Sequence, residues 1–267
     1  MGKRMGLRPA MGRGRTWKLC LLGTFTLLCG LQVCAAQNAL LIISSAASLT
    51  ESIQEIEAVY RHDHPRVELR NNFGSSGTLA REIEQGAPVD VFLSAAAKPM
   101  DELQARGMIA AGSRRDLLRN TLVLIVPSDS KVSGFQQLTD RSVRIIALGD
   151  PSSVPAGQYG QETLGSMHLL DQLHSKIVLG KDVRQVLTYV ETGNADAGMV
   201  YATDARNSSR VRVVATAPEA MHTPIVYPVA AIASGHNEAA ARAFVGYLNS
   251  ATARAIFVKH GFVVSAH

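Results

Sequence analysis

Small hydroxyl residues and glycines gather where this chain turns from short apolar runs into helical spacing. Four such places stand out: "SAASL" (45–49), "GSSGT" (74–78), "DPSSVPAG" (150–157) and "GKDVR" (180–184). The chemistry they share is anion binding. A helix N-terminus exposes unpaired backbone N–H groups and about half a positive charge, so it holds an anion without Lys or Arg. Serine hydroxyls add donors, and Gly74, Gly77 and Gly157 let the backbone approach closely. One serine at a helix start is an ordinary N-cap. Four such loops in one chain point further, to a small anion held by neutral donors.

Nucleophilic chemistry asks for more than a serine. Ser75 or Ser76 would need a His or Lys within hydrogen-bond reach and a recognisable elbow, and "GSSG" is not G-x-S-x-G. "SDSK" (128–131) matches S-x-x-K but follows Pro127 and reads as a turn. His62 and His64, beside Pro65, read as a solvated polar turn rather than a metal pair. Neither G-x-x-x-x-G-K-[ST] nor a post-strand G-x-G-x-x-G is present, so a nucleotide cradle is poorly supported.

The elements that must position these loops alternate as strand, loop and helix, which is an α/β pattern. "ALLIISS" (39–45) reads as a strand, followed by a helix carrying Leu49, Ile53, Ile56, Val59 and Tyr60 with Ser48 at its N-cap. "VELRNNF" is a strand before a helix that uses Leu79 and Ile83 and stops at Gly86. "VDVFLSA" (89–95) is nearly continuous in apolar character, as a strand covered on both faces would be. A helix over about Lys98 to Arg106 follows, then strands at "NTLVLIVP" (120–127) and "VRIIALGDP" (143–151). Pro155 suits the first helical position of the next helix. After the "KIVLG" strand, Asp182 suits an N-cap, Val183, Val186, Leu187 and Val190 mark a helix face, and Gly193 suits its C′. "AGMVY", "VRVVAT" and "IVYPVAAIA" are further strands, and helices at about 237–249 and 250–260 close the chain. Ligands of such sheets bind beyond the C-terminal strand ends.

Composition is distorted by the first 36 residues, a basic "MGKRMGLRPAMGRGRTWK" followed by the apolar "LCLLGTFTLLCGLQV" and "CAAQ". That is the pattern of a secretory signal peptide, with cleavage expected after Ala35 or Ala36. The run from Leu19 to Val33 is shorter than the roughly 20 residues of a membrane span, which disfavours an uncleaved anchor. Val33 stands before Cys34 where lipoprotein processing wants a small residue. Lys3, Arg4, Arg8, Arg13, Arg15 and Lys18 lie in this leader, so the formal charge of +5, less six, leaves −1 for the mature chain. Nucleic acid as a partner loses its support. Cys20, Cys29 and Cys34 leave with the leader too, so no disulfide or thiolate site remains and the core must stand alone. The remaining length suits one large domain or two lobes of about 100 residues each.

The segments "AASLTESIQEI", "FGSSGTLAREIEQGAPVDVFLSA", "ALGDPSSVPAGQYGQETL", "DVRQVLTYVETGNADAGMVYATDA" and "YPVA" resemble, in order and spacing, the periplasmic molybdate-binding proteins of ABC importers. The resemblance covers Ala39 to Phe262. It implies a type II periplasmic binding-protein fold with two α/β lobes, each a mixed sheet flanked by helices. The implied lobes are 37–119 plus 227–267, and 120–226. It also implies molybdate or tungstate bound in the cleft by Ser48, Ser76, Ala156, Val183 and Tyr201, with Ala156 and Val183 acting through their N–H groups. Molybdenum would be held as the oxyanion, without direct metal-cation ligands, cofactor or catalysis. A monomeric periplasmic protein served by a membrane permease and its ATPase is expected. Another oxyanion such as sulfate, or an exported serine hydrolase using Ser76, is the alternative. Gly74 and Gly77 stand where relatives often carry Ala or Ser, which is expected to loosen that loop.

Overall fold

The computed structural model describes residues 39–265. The expected leader and its cleavage point lie outside the described residues. The described residues form one compact unit.

The strands fall into two sheets. The first contains β1 (Ala39–Ala46), β2 (Val67–Gly74), β3 (Val91–Leu93), β4 (Arg115–Arg119), β10 (Val226–Ala231) and β11 (Val263–Val264), in the order β11-β4-β10-β3-β1-β2. The second contains β5 (Leu122–Pro127), β6 (Ile146–Gly149), β7 (Ile177–Gly180), β8 (Ala197–Tyr201) and β9 (Val211–Thr216), in the order β7-β6-β8-β5-β9. Each has a parallel core of three, β2-β1-β3 and β7-β6-β8. Each core is extended by an antiparallel strand, β10 on β3 and β5 on β8. Those two strands lie just past the links where the chain passes between sheets, from β4 to β5 and from β9 to β10. Mixed sheets follow directly, because parallel neighbours need helical crossovers while a returning strand runs opposite.

Helices α1 (Thr50–Asp63), α2 (Ser76–Glu84), α3 (Ala97–Ala105), α8 (Glu238–Tyr247) and α9 (Ala251–Lys259) flank the first sheet. Along β3 and β10 the side chains alternate between its two faces. Phe92 and Ala230 pack with Leu79, Ile83, Met100 and Leu103 of α2 and α3. Val91, Leu93, Val229 and Ala231 face the other way, into the cluster containing Ile53, Ile56, Tyr60 and Phe244 of α1 and α8. With both faces covered, a period-two strand becomes a continuous apolar run. The second sheet is flanked by α4 (Pro155–Ser166), α6 (Val183–Glu191) and the shorter α5 (Leu170–Leu173) and α7 (Ala202–Arg206). On α6, Val183, Val186, Leu187 and Val190 are all buried, and Asp182 caps it by accepting from the Gln185 N–H at 2.8 Å.

Several expectations need correction. Ser48 is not an N-cap, because a 3₁₀ turn over Ala47–Leu49 precedes α1 and puts Leu49 at the cap position. β1 runs one residue past the expected 39–45, so Ala46 belongs to the strand, not to the loop. The strand expected over 143–151 is shorter, Ile146–Gly149. His62 lies in the last turn of α1 and His64 stacks on Tyr60 at 4.1 Å between ring centroids, so the polar turn is a helix end. Strands β4 and β11 were not foreseen.

An anion-sized cavity between the two sheets

The site is built from strand ends. Ser48 follows β1 by two residues and Ser76 follows β2 by two. Ala156 and Val183 follow β6 and β7, and Tyr201 is the last residue of β8. All five therefore stand beyond the C-terminal ends of parallel strands, where the register brings Ala46 beside Gly74 and Gly149 beside Gly180. The structure brings the five together around one cavity between the sheets. Its free volume is about 10 Å³, room for roughly one water-sized sphere. A tetrahedral oxyanion fills it only when the walls stand slightly further apart. A wider groove of about 420 Å³ lies around Asp129, Asp140 and Asp196, and its acidic lining is the wrong chemistry for an anion.

Three of the walls are helix N-termini. Ser76 is the first residue of α2, Ala156 the second of α4 and Val183 the first of α6. N–H groups at these positions have no intrahelical acceptor and carry the positive end of the helix dipole. Pro155 at the first position of α4 removes a donor that the helix does not need. The Ser76 hydroxyl accepts from the Ala95 N–H at 2.9 Å, which leaves its own proton to donate. The Ser48 hydroxyl lies 3.0 Å from the Tyr227 hydroxyl. Tyr201 donates to the Ala95 carbonyl at 3.3 Å, across from its own sheet. Burial pushes the Tyr201 hydroxyl well above the ordinary tyrosine range, so it remains a neutral donor. Asp, Glu, Lys, Arg and His are all missing from the cavity lining among the described residues.

Ser75 holds the N-cap position of α2, but its hydroxyl donates to Thr78 Oγ1 at 2.9 Å and braces the turn. The glycines act differently from expectation. A Cβ on Gly157 would lie 1.9 Å from the Gly149 carbonyl oxygen, so this glycine lets α4 sit tightly on β6. A Cβ on Gly77 would lie 2.7 Å from the Ser153 carbonyl oxygen, and the Gly77 N–H donates to that same oxygen at 2.9 Å. Gly77 does not loosen its loop; it allows the two halves to touch.

A charged layer lies behind the neutral one. Arg184, next to Val183, forms a two-pronged pair with Glu51 of α1 and donates through Nε to the Ala47 carbonyl at 3.2 Å. Its Nε is also 3.4 Å from Asp204 Oδ1, while Asp204 Oδ2 accepts the Tyr201 N–H at 3.2 Å. Burial raises the Asp204 carboxyl to about 7, opposed by the Arg184 charge. The sequence reading assigned no role to Arg184, Asp204, Tyr227 or Asn120. The first three stand inside the quoted segments "DVRQVL", "MVYATDA" and "YPVA", and that adjacency was the available signal.

Residues 41–263 match the family model described as bacterial extracellular solute-binding protein. The molybdate-binding protein ModA of Haemophilus influenzae is 38% identical over 250 residues, covering 92% of this chain and 98% of its own. The chain belongs to this molybdate-binding-protein family of extracellular solute-binding proteins. A putative ABC transporter substrate-binding lipoprotein, YvgL of Bacillus subtilis, is 46% identical over 224 residues, covering 83% of this chain and 85% of its own. Among solved structures, the substrate-binding domain of a putative molybdenum ABC transporter from Clostridium difficile is 42% identical with a TM-score of 0.67, covering 85% of this chain and all of its own. As in a solute-binding protein, two mixed sheets flanked by helices close over one small cavity here.

Proposed function

We propose that this chain captures molybdate, and tungstate nearly equivalently, between its two halves and delivers it to an ABC importer made of a membrane permease and its ATPase. The observation that carries this reading is the cavity wall: three helix N-termini and the hydroxyl residues Ser48, Ser75, Ser76 and Tyr201, with no ionised side chain. A dianion entering such a cavity loses hydration, so it needs a full shell of hydrogen bonds, each strengthened by its charge. Ser48, Ser76 and Tyr201 supply hydroxyls; Ala156 and Val183 supply N–H groups. A fully deprotonated oxyanion only accepts, which suits this shell, whereas hydrogen phosphate also needs an acceptor.

In this reading the halves 37–119 with 227–267, and 120–226, move as lobes. Residues 1–36 act as a cleaved signal peptide and deliver a monomer to the periplasm. Molybdate is cargo rather than a cofactor. Ser76 serves in this reading as a hydrogen-bond donor rather than a nucleophile, its hydroxyl accepting from a backbone N–H. Thermal shift with molybdate, tungstate, sulfate and phosphate tests the assignment, since a ligand of the folded state alone raises the midpoint. Large, similar shifts with molybdate and tungstate are expected. A shift with sulfate alone would reassign the protein to another oxyanion.

A further inference from the structure

Tyr227 and Asn120 form a hydrogen-bond chain that starts from a donor of fixed direction. Asn120 lies in the link between β4 and β5, and its Oδ1 accepts the Thr121 N–H at 2.8 Å. That fixes the amide orientation and leaves Nδ2, which can only donate, facing Thr203 Oγ1 at 2.9 Å and Tyr227 Oη at 3.1 Å. Tyr227 Oη thus accepts from Asn120, which turns its own proton toward Ser48 Oγ, 3.0 Å away, in a pair where either hydroxyl has the chemistry to donate. Ser48, having accepted, has its own proton free for the cavity it lines. Ser76 reaches the same state more simply, through the Ala95 N–H.

We propose that Asn120 and Tyr227 are positioning residues that hold Ser48 as a hydrogen-bond donor, so that the site selects oxyanions carrying no proton. The inference rests on the oxyanion reading above and adds a source for its selectivity. Tyr227 is buried, with 1% of its surface exposed, and packs edge to face on Tyr201 at 5.7 Å, so its ring cannot turn away. Burial also pushes its hydroxyl well above the ordinary range, which keeps it a neutral donor. With one lone pair engaged by Tyr227 and its own proton turned to the cavity, Ser48 presents a donor rather than an acceptor to the anion.

The test is a double-mutant cycle read by calorimetry, with molybdate as ligand and phosphate as competitor, on the native protein, Ser48→Ala, Tyr227→Phe and the double variant. Tyr227→Phe is expected to weaken molybdate about three- to tenfold, the range for one neutral hydrogen bond. Because it acts through Ser48, the double variant is expected to lie within about twofold of Ser48→Ala. The molybdate-to-phosphate ratio narrows in Tyr227→Phe, because a freed Ser48 hydroxyl can turn and accept. Independent, multiplying losses, or equal changes for both anions, would overturn the relay and leave Tyr227 as packing. If native protein binds molybdate and Ser48→Ala binds it equally well, the relay alone fails. If native protein does not bind molybdate, the functional reading fails first. Asn120→Ala, which removes the donor behind Tyr227 without touching its ring, gives the same comparison should Tyr227→Phe not fold.

Discussion

Ser76 is the residue on which the shell depends most, because it contributes a hydroxyl already oriented by the Ala95 N–H and stands at the N-terminus of α2. Ser76→Ala is expected to weaken molybdate binding by about 1.5–3 kcal/mol, the range for a hydrogen bond to a charged group. Titration calorimetry reads this directly, and an unchanged affinity would remove Ser76 from the site. Behind the shell, Asp204 imposes a pH dependence on the fold. Its carboxyl is raised to about 7 in the folded protein, against an ordinary value near 4 when unfolded. Between those two values the folded state holds a proton that the unfolded state has lost, so this group's contribution to stability falls as pH rises from about 4 to about 7. Asn at this position cannot ionise. The midpoint of Asp204→Asn, measured relative to the native protein, is therefore expected to rise over that window and level off above it. A constant offset would show that Asp204 does not titrate there. Ser76 was legible in the sequence because serines between glycines at a helix start are conspicuous, whereas Ser48 and Tyr201 followed from the family segments. Tyr227 and Asn120 were not, because Tyr227 meets Ser48 across 179 positions and Asn120 across 107. No local pattern encodes such a meeting.

At the level of elements, the alternation of apolar runs with helical spacing predicted the strands of both parallel cores and the helices that follow five of them, but not the short α7 after β8. Those elements bury continuous faces, so their sequences must be periodic. Strand β4, "RDLLR", escaped because only Leu117 and Leu118 within it are buried, and β11 because it has two residues. Ser48 shows the limit at an element boundary: its type fits an N-cap, but the 3₁₀ turn before α1 directs its hydroxyl to Tyr227 instead. The tight turn of α2 against Ser153 gives a prediction at this scale. Gly77→Ala puts a Cβ 2.7 Å from a backbone oxygen of the opposite half. Neither side can yield without backbone movement, and overpacking of this kind costs about 1–3 kcal/mol. Molybdate affinity should fall by a corresponding factor while the separate halves keep their packing. Undiminished affinity in Gly77→Ala would mean that this contact is not needed for binding.

The whole molecule closes on its cavity through contacts of three kinds: the Gly77–Ser153 backbone bond, the Tyr201–Ala95 hydrogen bond, and Arg184 reaching Glu51 and the Ala47 carbonyl. Arg184 and Glu51 are each partly exposed, so their pair contributes modestly, about 0.5–1 kcal/mol. With the proposed lobe closure, Glu51→Gln is expected to speed molybdate release about two- to fivefold in stopped-flow displacement, with little change in capture. A release rate equal to that of the native protein would take this pair out of closure. Two mixed sheets flanked by helices were legible from the family segments, but contacts between them join residues far apart in sequence, 106 positions for Tyr201 with Ala95 and 133 for Arg184 with Glu51. The central claim, a cavity of neutral donors that takes a deprotonated oxyanion, is tested most directly by calorimetric titration of purified protein with molybdate, followed by sulfate and phosphate. Saturation at one molybdate per chain, with phosphate giving no competing heat, is the predicted result. Tight sulfate binding with no response to molybdate would contradict it.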